Sequence, residues 1–301
     1  MLDSGQVIKS VRLYESVMML RHWTIPHLDG VAWHGYGRGE AYNEELSFAQ
    51  KQLDQEARMA GCYSEREAEL DCFLSILADT SRSEISLMEC GAGWGEWCLG
   101  LAGVVNKRLM SHQIKRWRAI AVEGDPQVFK MMQENRRTQG LLFMECLQGV
   151  VSDKSGLIRF NTGDYLRRHC GGTAESPSWL MGLWNLWAAI KGNSKMLSSY
   201  TIDQIAHYYN IKHLDILHLD VQGSEIKALC GAKNTLLITD YVYVGTHSQK
   251  LHREVKEVLS PIFGEARADV APSTTAEIKG IGKVMCPQGQ DGILLFKRES
   301  L

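Results

Sequence analysis

The chain has no excess of charge of either sign: 33 basic against 35 acidic residues leave a formal net charge of -2. That balance offers no electrostatic footprint for a phosphate backbone, so a nucleic-acid partner is not expected. Long hydrophobic runs are missing too. Val17-Met18-Met19-Leu20 is far too short to span a bilayer, and Met1 to Gln6 lack the basic and then apolar regions of a secretory leader. The 8 cysteines (Cys62, Cys72, Cys90, Cys98, Cys146, Cys170, Cys230 and Cys286) show no CxxC spacing and no paired Cys/His set that would hold zinc. Reduced thiols and a cytoplasmic location are the expectation. Repeats and low-complexity tracts are absent as well. What is left is an ordinary globular composition, 45% hydrophobic and 23% charged over 301 residues, enough for one full core with additions.

Three zones follow along the chain. Residues 1–63, rich in His, Trp, Tyr and Gly up to about Ala60, read as an N-terminal extension that covers the acceptor site, and a helix is expected from about Ser64 to Ala78. From about Ile85, short apolar runs alternate with helix-length segments, the pattern of parallel strands joined by crossover helices. The expected strands are Ser86-Leu87-Met88-Glu89, Ala119-Ile120-Ala121-Val122, Leu142-Phe143-Met144-Glu145, Ile216-Leu217-His218-Leu219 and Tyr241-Val242-Tyr243-Val244. Residues 266–270 and 292–296 are too close in sequence for a helical crossover, so an antiparallel pair closes the sheet. A segment of about 164–200, with Trp179, Trp184 and Trp187, reads as a cap inserted into the 64–301 domain.

The most informative stretch is Leu87-Met88-Glu89-Cys90-Gly91-Ala92-Gly93-Trp94-Gly95. An apolar strand ending in an acid, followed by alternate glycines opening a helix, lets the backbone approach a ligand and presents free N–H groups. A dinucleotide site wants its third glycine three residues after the second, whereas Gly91, Gly93 and Gly95 are evenly spaced. Glu89 would also oppose a pyrophosphate but could accept hydrogen bonds from an amino group. A methionine moiety, with both a carboxylate and an ammonium, fits better; a glycine-rich turn without a ligand is the alternative. The next strand ends in Glu123, about thirty residues beyond the first glycine, where an acid can bind both hydroxyls of a ribose. A solvated strand-end carboxylate is the other reading. Asp220 ends the fourth strand and should join Glu89 and Glu123 in one crevice, or cap the next helix.

With these residues in place, the sequence resembles the FkbM family of S-adenosylmethionine-dependent methyltransferases. The likeness is carried by Glu89 to Gly95, Val122-Glu123-Gly124-Asp125-Pro126, the Val150 to Gly156 turn, Thr201-Ile202-Asp203 and the His213 to Glu225 block. It implies a Rossmann-like, seven-stranded, mostly parallel sheet with an antiparallel last strand. It also implies S-adenosylmethionine as methyl donor and a hydroxyl acceptor on a sugar, glycan or secondary metabolite. Carried over by position, Glu89, Gly91, Ala92, Gly93 and Trp94 would hold the methionine end, Glu123 and Gly124 the ribose, and Gly149 and Val150 the adenine. The chain departs from the family's commoner pattern at Gln222 and at the residues before His247, where acids are usual.

Transfer from a sulfonium is an in-line displacement, so the protein must supply alignment and, for a weakly acidic hydroxyl, a proton acceptor. Candidates at the sheet's ligand edge are His247, Asp220 and Glu225; His247 is read as a base or as an ordinary hydrogen-bonding histidine. Asp220 and Glu225 could instead hold Mg²⁺. The acceptor side is expected at His34, Tyr36 and Arg38, in a stretch mixing aromatic faces with glycines that reads equally as a structured surface loop. The Trp-rich segment reads as a lid or core packing in preference to a dimer face of a homo-oligomer or a membrane contact. Two rival readings are an NAD-type oxidoreductase and a catalytically silent binding module on the same fold.

Overall fold

The computed structural model describes residues 59–80, 82–93, 95–107, 114–138, 140–161, 173–175, 194–286 and 291–299. His34, Tyr36, Arg38, Trp94 and the Trp-rich run 179–187 lie outside the described residues.

Seven strands form the central sheet: β2 (Glu84–Cys90), β3 (Arg116–Glu123), β4 (Met144–Gln148), β9 (Leu214–Leu219), β10 (Thr239–Thr246), β11 (Ala268–Val270) and β14 (Gly292–Lys297). Their spatial order is β4-β3-β2-β9-β10-β14-β11. The pairings from β4 through β10 are parallel, and β14 runs antiparallel to both of its neighbours. The expected closing pair is therefore present, Ala268 facing Leu295. It is not a tight hairpin, because β12 (Thr275–Ile278) and β13 (Gly282–Met285) make their own antiparallel pair between its strands. β13 also takes β1 (Tyr63–Ser64) as a parallel partner.

Side chains alternate across these strands, and each set has its own core. Leu87, Ala119, Ala121, Ile216, Tyr243 and Leu295 face one way, onto α1 (Glu65–Asp79), α2 (Glu96–Lys107) and α3 (Pro126–Thr138). In α1 the buried positions Ala68, Cys72, Phe73, Ile76 and Leu77 recur at helical spacing and form one stripe. Met88, Ile120, Leu217, Val244 and Phe296 face the other way, onto α4 (Ile202–Tyr208), α5 (Glu225–Cys230), α6 (Lys233–Leu237) and α7 (Gln249–Phe263). Burial on both faces is why the central strands read as continuous apolar runs rather than as alternation.

One expected strand is displaced. Leu142 and Phe143 are exposed in the turn that follows Gly140, and β4 begins at Met144, opposite Ala119. The apolar pair resembles a strand in composition, but hydrogen-bonded pairing starts two residues later. Residues 194–200, read as the end of the cap, form β8 (Ser194–Tyr200), which pairs with β5 (Val150–Val151) and β6 (Gly156–Asn161) in a sheet completed by β7 (Thr173–Glu175).

The strand order reverses at β2, with β3 on one flank and β9 on the other. In open α/β sheets this switch point opens a crevice beyond the carboxyl ends of the strands, and ligands bind there. On β10 the chain leaves through His247 and turns at once into α7, whose first turn is capped by Ser248 accepting from the Leu251 amide at 3.2 Å. Replacing Ser248 with Ala should cost about 1 kcal/mol of stability, read from urea unfolding; an unchanged midpoint would show that packing alone fixes this turn.

Candidate active site

The glycine loop is built from both sides of the switch point. The amides of Gly91 and Ala92 donate to the Val122 carbonyl of β3 at 3.0 and 2.9 Å, while the Asp220 amide beyond β9 donates to the Cys90 carbonyl at 3.0 Å. Gly91 has φ +76°, and a Cβ there would stand 1.7 Å from the Asp220 carbonyl oxygen. Only glycine allows so close an approach of loop to strand.

Glu89, expected to meet an amino group, is turned instead toward the start of α2. Its two oxygens accept from the amides of Trp97 and Cys98 at 2.9 and 3.0 Å, satisfying donors that a helix cannot satisfy itself. Burial raises its pKa, against the pull of His218 and of those amides. Glu89 thus ties the end of β2 to the first turn of α2.

Glu123 does face the loop. One oxygen accepts from the Gly93 amide at 2.9 Å and the other from the Asp125 amide at 2.6 Å. Asp125 in turn caps α3 through the Gln127 amide at 2.8 Å, and Pro126 fills the first helical position, where no amide hydrogen is needed. Burial, offset in part by these amides, lifts the Glu123 pKa to about 7. Gly124 packs against Val150: a Cβ on Gly124 would be 2.8 Å from Val150 Cγ1. The Gly149 amide donates to the Glu123 carbonyl at 3.0 Å. The residues expected at the ribose and adenine are therefore contiguous.

One strand further along, Asp220, Glu225 and His247 come together. His247 Nε2 lies 3.2 Å from Asp220 Oδ1 and Nδ1 lies 3.1 Å from Glu225 Oε1. Glu225 is fully buried, and its Oε1 accepts from the amides of Val221 and Gly223. Burial works against a proton on His247, but Asp220 and Glu225 outweigh it and hold the pKa up, to about 11. His247 is therefore bracketed by carboxylates, with Asp220 on one ring nitrogen and Glu225 on the other. The Asp220 side chain leans over the next strand, since a Cβ on Gly245 would lie 3.6 Å from its Cγ.

Sequence reasoning missed three contributors. Asp291 reaches His247 Nε2 at 3.5 Å from the residue before β14, and burial raises its pKa to about 7. His218, in the buried run of β9, stacks on Trp97 at 4.3 Å and on Tyr243 at 5.2 Å and lies 3.6 Å from Glu69. Glu69 also accepts from Trp97 Nε1 at 2.7 Å. A histidine inside an otherwise apolar strand was the available signal for His218; nothing local marks Asp291.

Residues 89–268 match the methyltransferase FkbM domain. The chain belongs to the FkbM methyltransferase family. It is similar to a protein of Jannaschia sp. (strain CCS1) assigned by inference as a methyltransferase, 24% identical over 230 residues, which are 73% of this chain and 75% of that one. Among solved structures it is similar to the methyltransferase FkbM of Methylobacillus flagellatus KT (15% identity, TM-score 0.47), over 72% of this chain and 44% of the other. A precorrin methyltransferase of Geobacter metallireducens GS-15 (10% identity, TM-score 0.39) aligns over 75% of this chain and 85% of its own. An rRNA methylase of Streptococcus thermophilus (9% identity, TM-score 0.40) aligns over 76% and 96%. No helix among the described residues of this FkbM methyltransferase is long and apolar enough to cross a membrane.

The buried Glu123 carries a pH signature. Its folded pKa of about 7 lies above the ordinary 4.5, so the folded state keeps a proton that the unfolded state sheds, and stability falls as pH rises between those values. Glu123→Gln should flatten the slope of unfolding free energy across that window; an unaltered slope would mean that Glu123 is not the group being titrated.

Proposed function

We propose that this methyltransferase moves a methyl group from S-adenosylmethionine to a hydroxyl oxygen of a small sugar, glycan or secondary-metabolite acceptor. The observation that supports the reading is the direct bond from the Gly93 amide to the Glu123 carboxylate, which sets the glycine loop beside an acid suited to a ribose diol at the switch point. The even spacing of Gly91, Gly93 and Gly95 favours the sulfonium cofactor over a dinucleotide.

The cofactor would supply a methyl group already activated by positive charge. The chain's own residues then have three tasks. The loop at Gly91 and Gly93, stiffened by Glu89 through α2, fixes the methionine end; Glu123 holds the ribose; Gly149 and Val150 form the wall for the base. Asp220 divides the crevice, its backbone against Gly91 and its side chain over β10 beside His247. An acceptor hydroxyl standing there meets His247 and the carboxylates around it, which would orient it and take its proton. Alignment is the larger part of such catalysis, because correctly held reactants avoid the entropy of encounter. The acidic cluster and the near-zero net charge also favour a small acceptor over a phosphate backbone.

Calorimetric titration should give saturable binding of S-adenosylhomocysteine and none of NAD; binding of NAD alone would sink the proposal. His247→Ala should lower turnover on the order of 10²-fold while S-adenosylhomocysteine affinity stays within about threefold. Equal turnover in variant and parent would remove His247 from the reaction.

A further inference from the structure

Among the described residues, two clusters present a histidine and two carboxylates with one atom from each lying within 4.8 Å of the others: His213, Asp215 and Asp240 at the amino ends of β9 and β10, and Asp220, Glu225 and His247 at their carboxyl ends. The first already has a permanent cation beside it, although Asp215 Oδ1 has no hydrogen-bond partner. Asp215 Oδ2 accepts from the amide and hydroxyl of Ser86 at 2.8 and 2.7 Å, and Arg82 stands 3.6 Å from Oδ1. His213 Nε2 and Asp240 are joined in a 2.9 Å hydrogen bond. A metal ion there would be repelled by the arginine.

The second cluster is not balanced. Asp220, Glu225 and Asp291 all direct oxygens at one imidazole, at 3.2, 3.1 and 3.5 Å. Glu225 is fully buried, and its Oε2 has no hydrogen-bond partner. A carboxylate oxygen removed from water and given no donor is costly unless a cation meets it. The imidazole does not supply that cation well: although both ring nitrogens lie near carboxylate oxygens, neither is aligned with one as a hydrogen bond. One atom from each of the three residues lies within 4.8 Å of the others, a spread that small side-chain rotations bring to ligand distances of roughly 2.1 Å around one ion held by a single ring nitrogen.

We infer that Asp220, Glu225 and His247 form a divalent-cation site, with Asp291 as an outer carboxylate, for an oxygen-seeking ion of the Mg²⁺ or Mn²⁺ type. The set of one imidazole and several carboxylates matches Mn²⁺ and Mg²⁺ better than the sulfur-seeking metals. Three carboxylates with one neutral imidazole leave a single negative charge once a divalent ion is bound. Gln222 Nε2 donates to Asp220 Oδ1 at 3.1 Å, and the Val221 and Gly223 amides hold Glu225 Oε1, so both acids are oriented from outside as ligands require. The absence of an acid at position 222 is then no obstacle, because the glutamine serves as the outer partner. The ion would stand on the β10 side of Asp220, where it can bind and acidify an acceptor hydroxyl. That role, unlike the binding itself, rests on the hydroxyl-acceptor reading above.

The test is Mn²⁺ binding to the chelator-treated full chain, followed by loss of the free-ion electron paramagnetic resonance signal, with S-adenosylhomocysteine titrated into the same samples. One ion per chain is expected, displaced by Mg²⁺, with affinity weakened about 10–100-fold in Asp220→Asn and Glu225→Gln and unchanged in Asp240→Asn at the opposite edge. Absence of stoichiometric binding by the parent protein, equal affinity in the Asp220 and Glu225 variants, or loss in Asp240→Asn would each overturn the site. Because S-adenosylhomocysteine binding is read separately, it reports whether each variant is folded. It also separates failure of the metal site from failure of the cofactor assignment: a chain that binds the nucleoside and no Mn²⁺ refutes only the former.

Discussion

The parallel ladder between β2 and β9 is the constraint on which the rest of the molecule depends. Leu87 faces Ile216 and Cys90 faces Leu219, and the pairing is continued by the Asp220 amide on the Cys90 carbonyl. That register sets the glycine loop against the end of β9 with room for no side chain at Gly91. A slip of one residue would turn Met88 and Leu217 into the wrong core and carry Asp220 away from the loop. Binding loop and acidic cluster are thus two consequences of one strand pairing.

Buried charge is the second theme. Glu89, Glu123, His218 and Glu225 are all removed from water at the ligand edge of the sheet. Each of the four is met differently: Glu89 by the open end of α2, Glu123 by loop amides, His218 by Glu69 and Glu89, and Glu225 by two amides on one oxygen only. Burial tends to strip the proton from His218, yet the two glutamates outweigh it and raise its pKa. Networks of this kind hold a geometry firmly because removing one member leaves another charge unpaired. The thiols of Cys72 and Cys98 lie in one core and that of Cys90 in the other, and burial raises their pKa values, which makes them poor nucleophiles.

Much of this was legible in the residues. The apolar runs at Ala119 to Val122 and Ile216 to Leu219 are strands because both faces of the sheet are covered, and that burial is written directly into composition. The acid-then-glycine turn and the acid one strand over located the crevice, and His247 and Asp220 were drawn together as expected. What was not legible depends on tertiary partners. Glu89 looks like a ligand-facing acid until the helix end it satisfies is placed beside it, and Leu142 looks like strand until pairing is counted from Met144. Asp291 has no local signature; its meaning comes from the strand that follows it.

β14 runs against its neighbours, pairing Thr246 with Gly292. A reversed strand brings its beginning, rather than its end, to the edge where the other strands finish. Asp291, just before β14, is thereby brought beside His247 rather than beside Glu123. On the function proposed above, substitution of Asp291 would change what the enzyme accepts more than how it holds its cofactor, so selectivity and cofactor use could diverge independently.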